Sequence, residues 1–391
     1  MTALRIAVIG LGQRIAHVLG ALKDVEPGVA VAGYSDPTPV GLPILADKFD
    51  IDPGLAHADE KALLDAGPFD LVMIGSPNHL HYAHLLSAFE AGTPIFCEKP
   101  VVRDDTQSFA LARRLARGDT PPLFVGLVMR SVPLVREVLR HIDGGALGQI
   151  VSIDATEHLP PEHGAYLARN WRRKTEWGGS FLLDKVCHDF DILGRIAGAR
   201  PARVASFGGR RIFTPARADA PRTYRDGSAA YARIGGGWMG ANDAFHSDMD
   251  VTDHQVALVE YENGVRLSFH ANSHVGLMER RWYVAGTEGT LIADHVRGTV
   301  MMRRVLDTKK PERLAWAHDP NDQHGGADHA MARDLLATLR DGAPFPVTPD
   351  ESLRAGLTIM AIDRAMETGA VVDCAPMWAD YDAAWGRILM V

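Results

Sequence analysis

Short apolar runs alternate with helical segments over roughly the first hundred residues of this chain, which has 391 residues in all. The apolar runs lie at 4–9, 29–34, 69–74 and 93–97, and one more predicted strand follows at 123–128. Strands that are joined by helices run parallel, because the chain must cross back over the sheet before each new strand begins. The pattern therefore predicts an α/β domain whose parallel sheet is covered by helices on both faces.

A pair of glycines, Gly10 and Gly12, lies where the first strand meets the first helix. Gly10 would permit a tight turn, and Gly12 would let the backbone approach a pyrophosphate at the helix N-terminus. Ile15 stands where the G-x-G-x-x-G fingerprint has its third glycine, so the helix must pack differently against the strand. The position of the pair predicts a dinucleotide site, and a plain strand-to-helix turn is the alternative.

Asp36 ends the second strand, where a carboxylate can accept hydrogen bonds from the two hydroxyl groups of an adenosine ribose. No arginine or lysine follows before Lys48, so a 2′-phosphate would meet an uncompensated negative charge. The predicted cofactor is therefore NAD and not NADP. The alternative is that Asp36 only shapes the turn before Pro37.

Three histidines, His79, His81 and His84, have spacings that can present imidazoles to one metal ion. They follow a buried parallel strand, however, and the carboxyl ends of such strands form the cofactor crevice. We therefore predict that this segment lines the crevice, that His84 is an ordinary helix residue, and that no metal is bound.

The pattern changes after residue 127, which sets the predicted boundary between a domain of residues 1–127 and a domain of residues 128–391. Asn263-Gly264 between two of the later strands is a strong hairpin signal. Strands that follow one another without regular intervening helices form antiparallel sheets. The predicted strands lie at 150–157, 202–207, 255–262, 265–272, 282–285 and 290–293.

One predicted helix, at 179–193, interrupts these strands. Asp184, His188 and Asp191 would share one stripe of it, at spacings of four and three residues. A carboxylate one turn from a histidine can orient the imidazole and raise its basicity, which proton transfer from a hydroxyl requires. A surface pair and a metal site are the alternatives.

Taken together, these motifs resemble those of the Gfo/Idh/MocA family, which includes glucose-fructose oxidoreductase and inositol dehydrogenase. The resemblance implies an α/β Rossmann domain at the N-terminus and an α+β C-terminal domain with a large, mainly antiparallel open sheet that carries the substrate site on one face. The matching motifs follow the family order: Gly10-x-Gly12, Ser76-Pro77-Asn78-His79-x-His81, Glu98-Lys99-Pro100, Gly145-Ala146-Leu147-Gly148, Asn170-Trp171-Arg172, Gly178-Gly179, Asp184-x-x-x-His188-Asp189-x-Asp191 and His324-Gly325-Gly326-x-Asp328.

The same resemblance assigns roles to individual residues. Lys99, Asp184 and His188 would form the catalytic group, with His188 as the acid/base and Lys99 placed by Pro100, which is often cis in this family. The substrate would contact these three residues together with Trp171, Arg172 and His324. The predicted cofactor-binding residues are Gly10, Gly12, Gln13, Arg14, Asp36, Ser76, Pro77, Asn78, His81, Glu98 and Lys99.

These assignments predict an NAD-dependent dehydrogenase that acts on a secondary hydroxyl of a sugar, sugar derivative or cyclitol by hydride transfer. A redox-neutral glycosidase or lyase that uses NAD transiently is one alternative, and a non-catalytic NAD-sensing protein is another. Arg169 and Arg173 could add a site for an anionic sugar, or could belong to a solvated basic loop.

Composition excludes several classes of protein and partner. A chain with 46% hydrophobic and 23% charged residues is typical of globular proteins. The net charge of −8, with scattered positive charges, argues against a nucleic-acid partner. No apolar run approaches the roughly 20 residues that span a bilayer. The three cysteines are too few for a disulfide framework, and no signal peptide precedes the first strand, so we expect a cytoplasmic protein.

We also expect a homo-oligomer, either a dimer or a tetramer. A large sheet with the substrate site on one face leaves its other face to solvent or to another subunit. The strands at 256–259 and 265–269 are expected to carry apolar side chains on both faces.

Overall fold

The computed structural model describes residues 4–231, 238–316 and 324–387. The chain forms two compact units. The first comprises Met1–Ser131, Gly326–Leu353 and Ala379–Val391, and the second comprises Val132–Gly325 and Arg354–Trp378. This division differs from the single boundary predicted after residue 127, because two C-terminal segments group with the N-terminal unit.

The first unit contains a five-stranded, wholly parallel sheet in the order β2-β1-β3-β4-β5. Its central strands are near-continuous apolar runs, and all four residues of β3 are fully buried, as expected for a sheet with two covered faces. The elements are β1 (Leu4–Ile9), α1 (Gln13–Val25), β2 (Val29–Ser35), α2 (Leu42–Leu45), α3 (Glu60–Asp65), β3 (Leu71–Ile74), α4 (Asn78–Glu90), β4 (Ile95–Cys97), α5 (Asp105–Ala116) and β5 (Leu123–Val125).

The second unit contains a nine-stranded sheet in the order β13-β12-β11-β10-β6-β9-β8-β7-β14. Among these neighbours only β6 and β9 run parallel, so the sheet is mainly antiparallel as predicted. Its strands are β6 (Ile150–His158), β7 (Pro201–Gly209), β8 (His254–Tyr261), β9 (Arg266–Asn272), β10 (Glu279–Gly286), β11 (Gly289–Asp294), β12 (Thr299–Arg304), β13 (Glu312–Ala315) and β14 (Val372–Asp373).

The helices after β5 are mostly short. Four precede β7, two lie between β13 and β14 along the chain, and one follows β14. They are α6 (Pro133–Asp143), α7 (Pro161–Arg169), α8 (Thr175–Gly178), α9 (Cys187–Ala197), α10 (Ala327–Asp341), α11 (Pro349–Thr368) and α12 (Ala375–Ala384).

The hairpin predicted from Asn263-Gly264 is present between β8 and β9. Gly264 has φ of +90°, a conformation that costs a side-chain-bearing residue free energy. The amide of Tyr261 donates to the carbonyl of Val265 and so closes the turn. The asparagine-glycine pair therefore fixes the register of the two strands.

Two expectations about strands are wrong. The strand predicted at 123–128 ends at Val125, because the chain turns at Gly126 and continues as a 3₁₀ turn over Val128–Ser131. β9 does not carry apolar side chains on both faces, since its outward residues are Arg266, Ser268 and His270. On β8 the expectation holds: Leu258 is 61% exposed, and Phe207 on neighbouring β7 is 69% exposed.

Candidate active site

The glycine turn after β1 is built by close approach of two backbones. Gly10 has φ of +81°, and a Cβ on it would lie 2.3 Å from the amide nitrogen of Ser76. Gly12 precedes α1, and a Cβ there would meet nothing nearer than the carbonyl of Gly75 at 3.8 Å. Gly12, the N-cap residue of α1, has no side chain that could cap the helix. The space above Gly12 and the uncapped amides therefore suit a pyrophosphate.

Gly75, in the loop after β3, compensates for the missing third glycine of the fingerprint. Ile15 is fully buried, and a Cβ on Gly75 would lie 2.6 Å from its Cβ. The close packing that the fingerprint usually obtains from a glycine on the helix is here obtained from a glycine in the loop after β3. This is the difference in helix packing that the sequence predicts.

Gly41 supports the same turn and was not identified from the sequence. Its amide donates to the carbonyl of Leu11 over 2.9 Å. A Cβ on Gly41 would lie 2.7 Å from the carbonyl oxygen of Gly12 and 2.8 Å from that of Leu11. Because its φ is ordinary, only the three-dimensional contact reveals why a glycine is needed.

Asp36 lies at the end of β2 and is half-buried. Its Oδ1 accepts a hydrogen bond of 2.6 Å from the amide of Thr38, and the backbone of Leu11 also donates to it. Burial raises the pKa of Asp36, and these two amides lower it in part. The carboxylate thus shapes the turn, as the alternative interpretation holds, and also ties β2 to the glycine turn.

The histidine segment forms the start of α4. Ser76 Oγ lies 2.9 Å from Nδ1 of His84. His81 is 1% exposed, with Nε2 at 2.8 Å from the carbonyl of Ser76 and Nδ1 at 2.7 Å from the carbonyl of Pro100. Burial lowers the pKa of His81 to about 4, so at neutral pH its single N–H donates to one carbonyl at a time. The buried His81 side chain therefore connects the loop after β3, which contains Ser76, with the loop after β4, which contains Pro100.

Arg14 and Glu98 form an ion pair, and Asp328 joins them. Arg14 Nε lies 3.0 Å from Glu98 Oε1, and its two terminal nitrogens bind Asp328 in a bidentate manner at 2.9 and 2.7 Å. Both carboxylates are buried. The guanidinium on the first turn of α1 thus ties the glycine turn to the start of α10 and to the Glu98-Lys99-Pro100 segment.

Lys99 belongs to the first unit and follows β4, and its peptide bond to Pro100 is cis, as the resemblance implies. Gln13 begins α1, Pro77 precedes α4, and buried Asn78 is the first residue of α4. The other residues predicted at the substrate, from Trp171 to His324, belong to the second unit.

In the second unit, Arg172 brings three predicted substrate-side residues together. Its Nε lies 3.1 Å from a carboxylate oxygen of Asp184, and its guanidinium lies over the Trp171 ring at 4.1 Å from the ring centre. It also donates to Tyr166 Oη at 2.8 Å and to Asn170 Oδ1 at 3.0 Å. The structure therefore places the positively charged guanidinium of Arg172 beside the carboxylate of Asp184, a predicted catalytic residue.

The neighbouring basic residues have structural partners, which corrects one of the two interpretations of this run. Arg169 donates to the carbonyls of Ala241 and Tyr231. Buried Arg173 binds the Asp248 carboxylate and the Met239 carbonyl, and Lys174 pairs with Asp250 at 2.8 Å. The run is therefore not a solvated loop, because it anchors the segment around 239–250, and a site for an anionic sugar stays a prediction.

Asp184 and His188 do not share a regular helix. Leu182–Val186 forms a π-helical turn, and α9 begins only at Cys187. A π turn contains an extra residue, so the predicted stripe at spacings of four and three is wrong in detail. Asp184, His188 and Asp191 are all buried, which also rules out the surface pair. Wide turns of this kind occur frequently at functional sites.

Two features are absent from the part of the chain that the structure describes: a cluster of metal ligands and a membrane-spanning helix. Within 4–231, 238–316 and 324–387, no three His, Cys, Asp or Glu side chains are grouped so that they could hold a metal ion. In the same part of the chain, no helix has the length and apolar character needed to cross a membrane.

Two family models match the chain. The model of an oxidoreductase family with an NAD-binding Rossmann fold matches residues 4–126, and the model of the GFO/IDH/MocA C-terminal domain matches residues 135–292. Together they cover more than two thirds of the sequence. The chain belongs to the Gfo/Idh/MocA family. It is an oxidoreductase of that family with an NAD-binding Rossmann domain, and the predicted family, fold and cofactor are confirmed.

Named relatives of the Gfo/Idh/MocA chain are distant. Inositol 2-dehydrogenase 2 of Mycolicibacterium vanbaalenii is 26% identical over 375 residues, covering 90% of this chain and 98% of that protein. Levoglucosan dehydrogenase of Pseudarthrobacter phenanthrenivorans is 25% identical, covering 68% of this chain and 63% of that protein. For the inositol 2-dehydrogenase of Corynebacterium glutamicum the alignment covers 56% of the relative.

Solved structures share the fold. A structure of levoglucosan dehydrogenase with NADH and levoglucosan matches with a TM-score of 0.74 at 18% identity, covering 95% of this chain and 99% of that one.

Burial of His81 predicts a pH-dependent stability. Its folded-state pKa of about 4 lies below the unfolded value of 6.5, so stability is fully present above pH 6.5 and is lost as pH falls toward 4. The loss from this one group should reach about 3 kcal/mol. Urea unfolding measured from about pH 7 to about pH 4.5 should show a shallower pH dependence for His81→Asn than for the parent. His246→Asn, at an exposed histidine, is the control, and an unchanged slope in His81→Asn would contradict this account.

Proposed function

We propose that the protein is an NAD-dependent dehydrogenase that oxidises a secondary hydroxyl of a sugar, sugar derivative or cyclitol, or catalyses the reverse reduction. The observation that carries the proposal is the buried pair Asp184 and His188 with Arg172 bound to the carboxylate. The relatives named inositol 2-dehydrogenase and levoglucosan dehydrogenase support a polyhydroxylated substrate.

In the proposed oxidation, the imidazole of His188 accepts the hydroxyl proton as the C–H bond breaks. NAD, when bound, supplies the acceptor for the hydride, so that the proton and the electron pair leave the substrate by separate routes. Asp184 stabilises the imidazolium that results, and Arg172 keeps the Asp184 carboxylate in place. In the reverse reduction, His188 returns the proton to the carbonyl oxygen.

Lys99 is proposed to bind the same substrate oxygen through its ammonium group, as the resemblance implies. A cation at this oxygen lowers the cost of the negative charge that develops on it when the proton leaves. His81 and Glu98 support the proposal from the first unit, because they hold the backbone on both sides of Lys99. Trp171, Arg172 and His324 are proposed to complete the substrate contacts.

The large sheet is proposed to join two copies of the chain through its outward face. Exposed Phe207, Val256 and Leu258 form an apolar area on β7 and β8, and charged pairs such as Asp154 with Arg281 lie on β6 and β10. An apolar area beside a polar one is typical of subunit interfaces. No other described feature of the chain bears on the number of subunits.

The choice between NAD and NADP can be tested by measuring binding. Isothermal titration should show tighter binding of NAD than of NADP, because Asp36 would lie against a 2′-phosphate. Asp36→Ala should weaken NAD binding by about tenfold and reduce the preference, whereas Asp47→Ala, at an exposed carboxylate, should change neither. Equal or tighter binding of NADP to the parent protein would refute the assignment.

Catalysis is tested on a panel of sugars, cyclitols and glycosides that includes myo-inositol and levoglucosan, with NADH formation as the readout. His188→Asn and Lys99→Met should each lower kcat by about 10²- to 10⁴-fold, and in His188→Asn the Kd for NAD should stay within about twofold. His246→Asn is the matched histidine control.

Each outcome of this experiment has a distinct meaning. Parent-like turnover in either variant removes that residue from the mechanism. Release of sugar from a glycoside without accumulation of NADH would instead support a redox-neutral reaction, and saturable binding of NAD with no turnover across the panel would favour an NAD-sensing role.

Oligomerisation is measured by light scattering at micromolar protein concentration. We expect a dimer or tetramer, and Leu258→Arg should dissociate it, because the substitution places a charge in the apolar area. Leu306→Arg is the control, since Leu306 is 95% exposed and lies on the loop after β12. A monomeric parent protein would exclude the proposed interface.

A further inference from the structure

Four charged side chains form a buried cluster in the second unit, next to the proposed catalytic pair. Glu157 lies on β6, Arg280 on β10, Lys185 in the π turn and Asp189 on α9. Glu157, Arg280 and Asp189 are nearly or fully buried, and Lys185 is partly buried. Two carboxylates and two cations balance each other, so the cluster as a whole is neutral.

The cluster is centred on one cross-strand pair. Arg280 and Glu157 are direct partners in the antiparallel pairing of β10 with β6, and Arg280 Nε lies 3.2 Å from Glu157 Oε2. The fork of Arg280 also binds Asp189, with Nε at 3.0 Å and a terminal nitrogen at 2.6 Å from the two carboxylate oxygens. Lys185 Nζ lies 3.5 Å from the other oxygen of Glu157. Lys185 in the π turn and Asp189 on α9 are thus bound by ion pairs to two adjacent strands, β6 and β10.

Both fastened residues are sequence neighbours of the proposed catalytic pair. Lys185 directly follows Asp184, and Asp189 directly follows His188. The π turn ends between them, so ordinary helical geometry does not determine how far apart Asp184 and His188 lie. Contacts of Lys185 and Asp189 with the sheet can fix this spacing, which the π turn alone leaves undetermined.

Stability alone does not account well for such a cluster. Removing charges from water costs about as much as their attraction returns, and apolar residues of similar volume often stabilise a protein equally well. Burial raises the pKa of Glu157, whereas Arg280 and Lys185 lower it, which shows how closely the carboxylate depends on its two cations. Bidentate binding by an arginine, in contrast, specifies the direction and distance of its partner.

We propose that Glu157, Lys185, Asp189 and Arg280 act as positioning residues that fix the spacing and orientation of Asp184 and His188 across the π turn. This inference rests on the proposed function only in calling those two residues catalytic. The pair Asp189–Arg280 orients His188, and the pair Glu157–Lys185 holds the turn that carries Asp184.

A charge-neutral double variant separates positioning from stability. In Asp189→Asn and in Arg280→Met, one buried charge loses its partner, and we expect a lower melting temperature. Asp189→Leu combined with Arg280→Met removes both charges, leaves Glu157 with Lys185, and should recover most of the melting temperature. If the cluster positions the pair, kcat in the double variant should remain about 10- to 100-fold below the parent, with the Kd for NAD unchanged within about twofold.

The matched control is Val300→Ala on β12, which lies two strands from β10 and removes buried volume without touching the cluster. It should lower the melting temperature and leave kcat unchanged. A second readout needs no substrate: the pH titration of the His188 ring, followed by NMR in the full-length protein. In the double variant this titration should shift by about half a pH unit or more, because a ring that is no longer held in its present position interacts differently with the Asp184 carboxylate.

The outcomes distinguish this inference from the proposed function. A double variant that recovers melting temperature, kcat and the His188 titration together would overturn the positioning role. Parent-like turnover in His188→Asn would overturn the proposed function, while the NMR titration would still decide whether the cluster orients the ring.

Discussion

Close contact between two backbone segments is the constraint on which the cofactor domain depends. The turn after β1 and the loop after β3 approach each other so closely that Gly10 has no room for a side chain beside Ser76. Gly75 likewise leaves room for the side chain of Ile15, and Gly41 leaves room for the carbonyl groups of the turn. The N-terminus of α1 can stand at the carboxyl ends of the strands only because these glycines allow it.

Ion pairs then connect this turn, and the proposed catalytic residues, to distant parts of the chain. Arg14 reaches Asp328 over 314 residues of sequence, and the same arginine holds Glu98 next to Lys99. In the second unit Arg172 reaches Asp184, and Arg280 reaches Asp189. Each arginine offers a planar fork, and a fork that binds two carboxylate oxygens fixes orientation as well as distance. Orientation is what proton transfer requires.

The local parts of this arrangement could be predicted from the sequence. β1 to β4, the glycine turn, the hairpin at Gly264 and the change to an antiparallel sheet all follow from apolar runs and turn residues a few positions apart. The family motifs supplied the site residues, and geometry has brought Trp171, Arg172 and Asp184 together.

The remaining features depend on contacts that no local pattern encodes. In the sequence Gly41 cannot be told from any other loop glycine, because the carbonyl groups that exclude a side chain there are contacts in three dimensions. The basic run of 169–174 gives no indication in the sequence of which carbonyls and carboxylates it will meet some 70 residues later. The π turn at Leu182–Val186 has the composition of an ordinary helix, and only the structure shows its extra residue and the ion pairs of Lys185 and Asp189 with the sheet.

The anchoring of the 239–250 segment has a consequence for how this protein can diversify. Arg169 and Arg173 hold the start of the segment through the carbonyls of Ala241 and Met239, and a carbonyl is present whatever the side chain. The side chains at these two positions can therefore change over evolutionary time without releasing the backbone, whereas Asp248 and Asp250, whose carboxylates bind Arg173 and Lys174, cannot. A backbone held in this way lets one end of a surface segment vary in sequence while it keeps its place, whether selection is natural or conducted in the laboratory.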